Sequence, residues 1–472
     1  MTCPDSEEVE MEERIFDFDL SEITSERISL LIENKKYREL KELLSDMAAP
    51  DVAELLYEAD SRVQSLVFRL LSKEQAAETF VEMDTESQRS LIDGFSDREL
   101  AEILDELYID DTVDLIEEMP AIVVKRILKA TDKQDRDVIN TILRYPKDSA
   151  GSLMTTEYVR FQGNMTVEAA LSHIRRVAID KETIYTCYIT DSNRRLLGIV
   201  TAKQLLLADL DTPLSELMNE NVIFVNTHDN REDTARKLDK YGFLSMPVVD
   251  NEGRLVGIVT VDDAIEVITE ESEEDFAKMA AITPSETPYL KTSVYNIWKS
   301  RIPWLLILMI SSTISSAILS GFESVLPAVL VLFVPMIMGT GGNSGGQASV
   351  TVTRSISLSE VEFSDLPRVF WKELRIGIMC GVALGVVTFG KVMLIDKLLL
   401  GNTAITAMVA LAVSLSLTVT IIVSKMIGAT LPILAKKIGL DPAVMASPLI
   451  TTLVDAVSLI VYFFVSSAIL GI

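Results

Sequence analysis

A lone aspartate, Asp455, stands in an otherwise apolar run from Pro442 to Ile472. A carboxylate at the centre of a bilayer costs about 2.5–3.5 kcal/mol on insertion scales, so a membrane segment that keeps one marks an ion or proton path by default. The alternative is an aspartate that is protonated or hydrogen-bonded to a neighbouring helix. Asp455 lies roughly 10 Å along the helix axis from Pro448 at 1.5 Å per residue, deep enough to line a pathway. A second unusual stretch, Val334 to Gln347, places Gly339, Gly341, Gly342, Gly345 and Gly346 around Asn343. Each glycine costs a helix up to about 1 kcal/mol relative to alanine. Either the small residues let helices approach closely, or the backbone opens and presents carbonyls to an aqueous cavity; Asn343 and Gln347 favour the pore wall. A third group, Asp263, Glu266, Glu270 and Glu274, is spaced by three, four and four residues, with Glu271 and Asp275 beside it. That spacing puts the carboxylates on one face of a helix, where like charges repel. A solvated acidic face is the plain alternative. Asp110, Asp111 and Asp114 form another acidic cluster upstream.

Oxygen ligands of this kind suit hard metal ions. Softer chemistry is poorly supplied, with two histidines and with Cys3, Cys187 and Cys380 widely separated. Residues 1–299 carry a formal charge of about −29 and residues 300–472 about +2. Such acidity excludes nucleic acid as a natural partner, because a phosphate backbone needs Lys and Arg to release its counterions. Glu7, Glu8, Glu10, Glu12 and Glu13 at the start leave no basic, then apolar, signal peptide, so the first half is expected to be cytosolic.

The elements that position these residues fall into three regions. Residues from about 20 to 145 read as short helices with apolar residues three and four apart, broken at Ala49-Pro50-Asp51 and Phe95-Ser96-Asp97. They form either a stack of helical hairpins or a bundle without a repeat. Two copies of a β-α-β-β-α unit follow, starting at Met154-Thr155 and Met218-Asn219. Their closing hairpins, Tyr188 to Thr201 and Val248 to Thr260, set polar turns between β-branched strands. The pair resembles tandem cystathionine-β-synthase (CBS) modules. An acidic helix from Asp262 to Asp275 leads through a bridge with Pro284 and Pro288 to five uncharged stretches: Ile302 to Phe322, Ser324 to Thr353, Ile376 to Gly390, Leu398 to Ser424 and Pro442 to Ile472. A span needs roughly 20 apolar residues, so the third is short. Arg354, Arg368, Lys372, Arg375, Lys436 and Lys437 all fall on the side of the soluble half, which agrees with five spans and an external C-terminus.

Pro335 to Gln347 resembles the glycine-rich pore signature of the MgtE family of magnesium channels. Asp441-Pro442 through Asp455 resembles its last helix, and Gly321-Phe322-Glu323-Ser324-Val325-Leu326 also fits. The likeness implies an acidic tail over 1–20, a helical N-domain over 21–146, CBS modules over 147–212 and 213–272, a linker helix over 273–300 and a five-helix pore domain over 301–472. It further implies a homodimer in the cell membrane, with the pore on the two-fold axis, where Asp455 of both chains binds Mg2+ and Ser447 and Asn343 line the same path. Asp110, Asp114, Asp263, Glu266, Glu270, Glu271, Glu274, Asp275 and Asp441 would bind regulatory Mg2+ and close the pore when the cytosolic ion is plentiful.

The family's first CBS module supplies a carboxylate for ATP in a Gly-x-x-Thr-x-x-Asp pattern. Here that position is neutral in Gly198-Ile199-Val200-Thr201-Ala202-Lys203-Gln204, and the matching Asp263 of the second module belongs to the acidic face. ATP is therefore expected to bind weakly or not at all. No GxSxG, P-loop, HExxH or kinase pattern supports an enzyme. A transporter with Mn2+ or Co2+ as cargo is the nearest alternative. An anion channel is the weaker one, because the only charge in the uncharged stretches is negative.

Overall fold

The computed structural model describes residues 25–57, 59–284, 289–290, 292–322, 327–445 and 447–471. The expected acidic tail, Pro288 and the Glu323 to Leu326 part of the family-like segment lie outside them, as does the side chain of Ser447. The chain divides into two compact units, one ending at Ile268 and one beginning at Thr269.

In the first unit, helices Ala49–Tyr57, Lys73–Val81, Asp97–Leu104 and Ala121–Ala130 start 24 residues apart, as do Ser61–Phe68, Thr85–Gly94, Ile109–Glu118 and Lys133–Ile142. Within the first series successive helices pack on one another, and in the second series Ser61–Phe68 packs on Thr85–Gly94 and Ile109–Glu118 on Lys133–Ile142. The N-domain is thus a repeat of helical hairpins, and each hairpin buries its apolar face against the next. The breaks are chemical stops. Asp60, Ser72, Asp84, Ser96 and Asp132 each turn a side-chain oxygen onto the first free N–H groups of the helix that follows. Leu44, Leu56, Val67, Leu91, Leu100 and Val113 fill the core.

The CBS region holds two three-stranded sheets. Strands β1 (Tyr158–Gln162), β2 (Thr183–Thr190) and β3 (Leu196–Thr201) form one, and β4 (Val225–Asn226), β5 (Ser245–Val249) and β6 (Leu255–Thr260) the other. In each, the first pair is parallel and the second is the antiparallel hairpin. The copies exchange edges: Thr155 pairs with Ile258 of the second sheet, and Asn219 with Ile199 of the first. Gly257 and Gly198 permit this, since a Cβ on Gly257 would lie 2.8 Å from the Thr155 oxygen and one on Gly198 3.0 Å from the Asn219 oxygen.

The linker helix runs Val261–Met279 without interruption across residues 272 and 273. Beyond it, among the described residues, five helices are long and apolar enough to cross a membrane: Val294–Phe322, Ala328–Ser357, Phe363–Leu399, Ala407–Lys437 and Pro448–Leu470. Two differ from expectation. The third is 37 residues long, because helix continues through the exposed charges Arg368, Lys372 and Arg375 that end the apolar run in sequence. The fourth passes through Lys425, which is buried, so the charge inside the spans is not only negative. Counting uncharged stretches stops at such a lysine even where its carbon stem is packed.

The glycine-rich segment is a continuous helix, Val334–Ser357. Its backbone does not open into a cavity; Gly341, Gly342 and Gly345 serve close packing. A Cβ on Gly342 would lie 2.7 Å from Thr451 Cγ2, and one on Gly345 would lie 2.9 Å from Val454 Cγ2 and 3.1 Å from the Ser424 oxygen. The second membrane helix is thereby seated against the fourth and fifth. A second glycine seam, Gly377 and Gly381, sets the third helix against Ile422 and Thr418 of the fourth.

Candidate functional site

In the first unit, helix Ile109–Glu118 carries Asp110 and Asp111 in its first turn, with Asp114 one turn on. Asp110 is buried. Glu157 precedes β1 and Glu182 precedes β2; because Tyr158 pairs with Thr183 in the parallel ladder, the two glutamates arrive side by side. Glu157 also accepts a hydrogen bond from the Ile109 N–H at 3.3 Å. One carboxylate oxygen each from Asp110, Glu157 and Glu182 lies within 4.8 Å of the others. Oxygens on opposite sides of Mg2+ stand about 4.2 Å apart in an octahedron, so this set fits such an ion with little adjustment.

The start of the linker helix closes the cluster. Burial, then the charges of Asp263 and Asp111, push Asp110 well up from the ordinary carboxylate range. Burial with Asp263 and Asp262 pushes Asp111 up to about 7, and burial with Asp262 and Asp111 pushes Glu182 up to about 8. Asp114 has an exposed side chain, yet desolvation by the protein around its carboxyl, then the charges of Asp263 and Glu266, push it up. Burial takes Asp263 up to about 6 against the hydrogen bond from Thr260. These carboxyls are thus gathered where burial, and then the charge of each neighbour, raises the cost of ionising them, a cost that a divalent cation relieves. Of the residues singled out in sequence, Asp110, Asp114, Asp263 and Glu266 meet here. Glu157 and Glu182 were not foreseen; the signal for them is positional, each standing one residue ahead of a strand in the same parallel pair.

In the second unit, Glu274, Asp275 and Asp441 take part in a different arrangement. Lys278 Nζ lies 2.7 Å from Glu274 Oε1 and 2.7 Å from Asp441 Oδ2, and Ser357 Oγ donates to Asp275 Oδ2 at 2.7 Å. The linker helix therefore touches the end of the second membrane helix and the segment ahead of the fifth. Glu270 and Glu271 lie on the preceding turn.

Those two membrane helices carry the remaining residues. Asp455 is half-buried, and its Oδ1 is sealed from solvent without a hydrogen-bond partner among the described residues. It lies 3.2 Å from where a Cβ on Gly342 would stand. Asn343, the next residue, is exposed, and Pro335, Gly339, Asn343 and Gln347 form one exposed stripe at four-residue spacing. Ser447 opens the fifth helix.

Residues 334–465 match the family model described as MgtE, divalent cation transporter; residues 49–148 match the MgtE intracellular N domain, and residues 150–211 and 214–270 the CBS domain. Together they define a multi-pass membrane transporter with intracellular regulatory domains. The chain is 37% identical over 439 residues to the magnesium transporter MgtE of Thermus thermophilus, covering 92% of this chain and 95% of that protein. It belongs to the MgtE family, a family of transporters and not of enzymes. Among solved structures it is similar to the soluble part of a magnesium transporter, at 29% identity over 54% of this chain and 100% of that one with a TM-score of 0.50. It is also similar to the cytosolic domain of the Mg2+ channel MgtE in complex with ATP, at 37% identity over 52% and 99% with a TM-score of 0.49.

Proposed function

We propose that this chain conducts Mg2+ across the cell membrane as a homodimer, with its N-terminal half in the cytosol and its C-terminus outside. In this reading Asp455 holds the ion in the pore, and cytosolic Mg2+ bound by the acidic residues closes it. The observation that carries the reading is Asp455 itself, a carboxylate within a helix long and apolar enough to cross a membrane, with one oxygen sealed and without a hydrogen-bond partner among the described residues, backed by Gly342 and next to the exposed stripe through Asn343. Such a group is retained for an ion that comes to it. A pore of this kind binds Mg2+ still partly hydrated, since the ion gives up water reluctantly; two aspartates related by a two-fold axis supply charge without a rigid cage. Ser447, at the start of the same helix, belongs to that path.

For the gate, the supporting geometry is the linker helix. Its first turns join the cluster of Asp110, Asp114, Glu157, Glu182, Asp263 and Glu266, and Asp275 and Lys278 contact segments continuous with both pore-bearing helices. Glu270 and Glu271 belong to the same regulatory surface, and Glu274 and Asp441 join it to the segment ahead of the fifth helix through Lys278.

Uptake of Mg2+ into proteoliposomes, run beside chloride flux, tests the function. Mg2+ enters and chloride does not; Asp455→Asn keeps a folded dimer and loses Mg2+ flux. Normal Mg2+ conduction by the Asn variant would remove the ion site from the pore. Competition by Mn2+ and Co2+ in the same assay ranks the cargo.

A further inference from the structure

We infer that Lys278 is a positioning residue of the gate: its ammonium takes the place of a cation between Glu274 and Asp441 and holds the linker helix to the segment ahead of the fifth membrane helix without a metal ion. The inference rests on the gating role proposed above for that helix.

Three features lead to it. Lys278 Nζ is 2.7 Å from a carboxylate oxygen of each acid, so it bridges them instead of pairing with one. Glu274 is four residues earlier on the same helix, the spacing and order that best orient a Glu–Lys pair, whereas Asp441 is distant in sequence. The bridge is therefore a tertiary tie with a helical guide. Asp441 is fixed in turn, because its Oδ1 accepts the Ala443 N–H at 2.8 Å while its Oδ2 faces the lysine. Its carboxylate is presented by the turn that precedes the fifth helix. One turn back, Asp275 accepts from Ser357 Oγ at 2.7 Å, so the same stretch of helix is attached at a second point.

The three side chains are 25%, 40% and 34% exposed, which leaves solvent screening in force. A single exposed pair contributes little; one ammonium shared by two carboxylates, one of them pre-aligned, is worth a several-fold shift in a local docking equilibrium. Two carboxylates this close would otherwise repel each other and the tie would depend on a divalent ion. With Lys278 in place, docking at this contact persists when Mg2+ is absent. The Mg2+-dependent part of the gate then resides mainly in the cluster around Asp110 and Glu182, whose acids are shifted by burial and by one another's charges.

Hydrogen exchange on the full-length protein in lipid nanodiscs, in EDTA and without Mg2+, tests this apart from transport. Lys278→Met keeps helix propensity and stem packing but removes the charge. It should raise exchange across residues 269–279 and 440–445 roughly fivefold, with the rest of the membrane domain unchanged. Lys278→Arg should leave exchange as in the parent, and the exchanged pair Lys278→Glu with Asp441→Lys should recover protection lost in either single variant. Parent-like exchange in Lys278→Met, or no recovery in the exchanged pair, overturns the inference. Neither result depends on which ion the pore carries.

Discussion

Gln204 shows how one side chain can be committed before any ligand arrives. Its Oε1 accepts from the Thr201 N–H at 2.8 Å and the Thr201 Oγ at 2.9 Å, while its own N–H donates to Thr201 Oγ at 3.2 Å. This is a capping box that uses the oxygen a ribose hydroxyl would need. A neutral acceptor also gives up the charge assistance that roughly doubles such a bond. At the equivalent place in the second module, Asp263 accepts from Thr260 and stands among the acids that raise one another's pKa, surroundings that repel a triphosphate. ATP titrated calorimetrically into the protein is expected to show no micromolar binding. A micromolar dissociation constant, lost in Gln204→Ala, would refute this. Residue types that announce themselves by burial cost or by spacing, such as Asp455 and the acidic helix face, could be read from the chain. Glu157 and Glu182 could not, since ordinary glutamates at single positions acquire meaning only when two parallel strands bring them together.

At the scale of elements, the glycines decide how the membrane helices meet. A Cβ on Gly428 would collide with the backbone of Gly345, whose Cα stands 3.1 Å from it, whereas one on Gly339 meets nothing within 4 Å. Gly428→Ala should therefore force the second and fourth helices apart at a cost of about 1–3 kcal/mol, and Gly339→Ala should be tolerated. Thermal midpoints of the two variants in detergent compare them directly; an unshifted midpoint for Gly428→Ala would show that the seam has slack. Packing density was legible in the sequence as glycine spacing, but the choice between a packed and an opened backbone was not, because both use small residues. The hairpin repeat was written in the Asp and Ser stops, though its 24-residue step emerges only once helix starts are known. For the linker helix, moving a gate from 1:99 to 99:1 requires about 5.5 kcal/mol of differential binding, and a site preferring one state tenfold gives about 1.4 kcal/mol. Roughly four weak sites suffice, which matches a cluster better than a single strong site. Neutralising Asp263, Glu266, Glu270 and Glu274 together should leave channels open in high Mg2+, as patch recording would register. Inhibition as in the parent would exclude the helix as sensor.

For the whole molecule, the charge asymmetry makes pH a second input to the same machinery. In the folded chain Asp263, Asp111 and Glu182 hold their protons up to about 6, 7 and 8, and Asp110 is also raised. The same acids unfolded lose them near 4. Between about 4 and 8 the folded state therefore binds more protons than the unfolded one, and stability falls as pH rises through that window. Burial is the first cause for each group and mutual repulsion adds to it, so a bound divalent cation should offset the loss. Two outcomes follow from one cause. Without Mg2+, the unfolding midpoint of the cytosolic unit should decline from pH 5.5 to 8.5 and level off above that, while the increment from millimolar Mg2+ grows over the same range. In flux measurements, the Mg2+ concentration that half-closes the channel should rise as cytosolic pH falls below about 7, because protons then occupy the carboxylates that the ion needs. A midpoint independent of pH in the metal-free protein would mean that these acids are not held together as charged neighbours. Asp111→Asn with Glu182→Gln should flatten both profiles at once, which ties the stability curve and the gate to the same carboxylates.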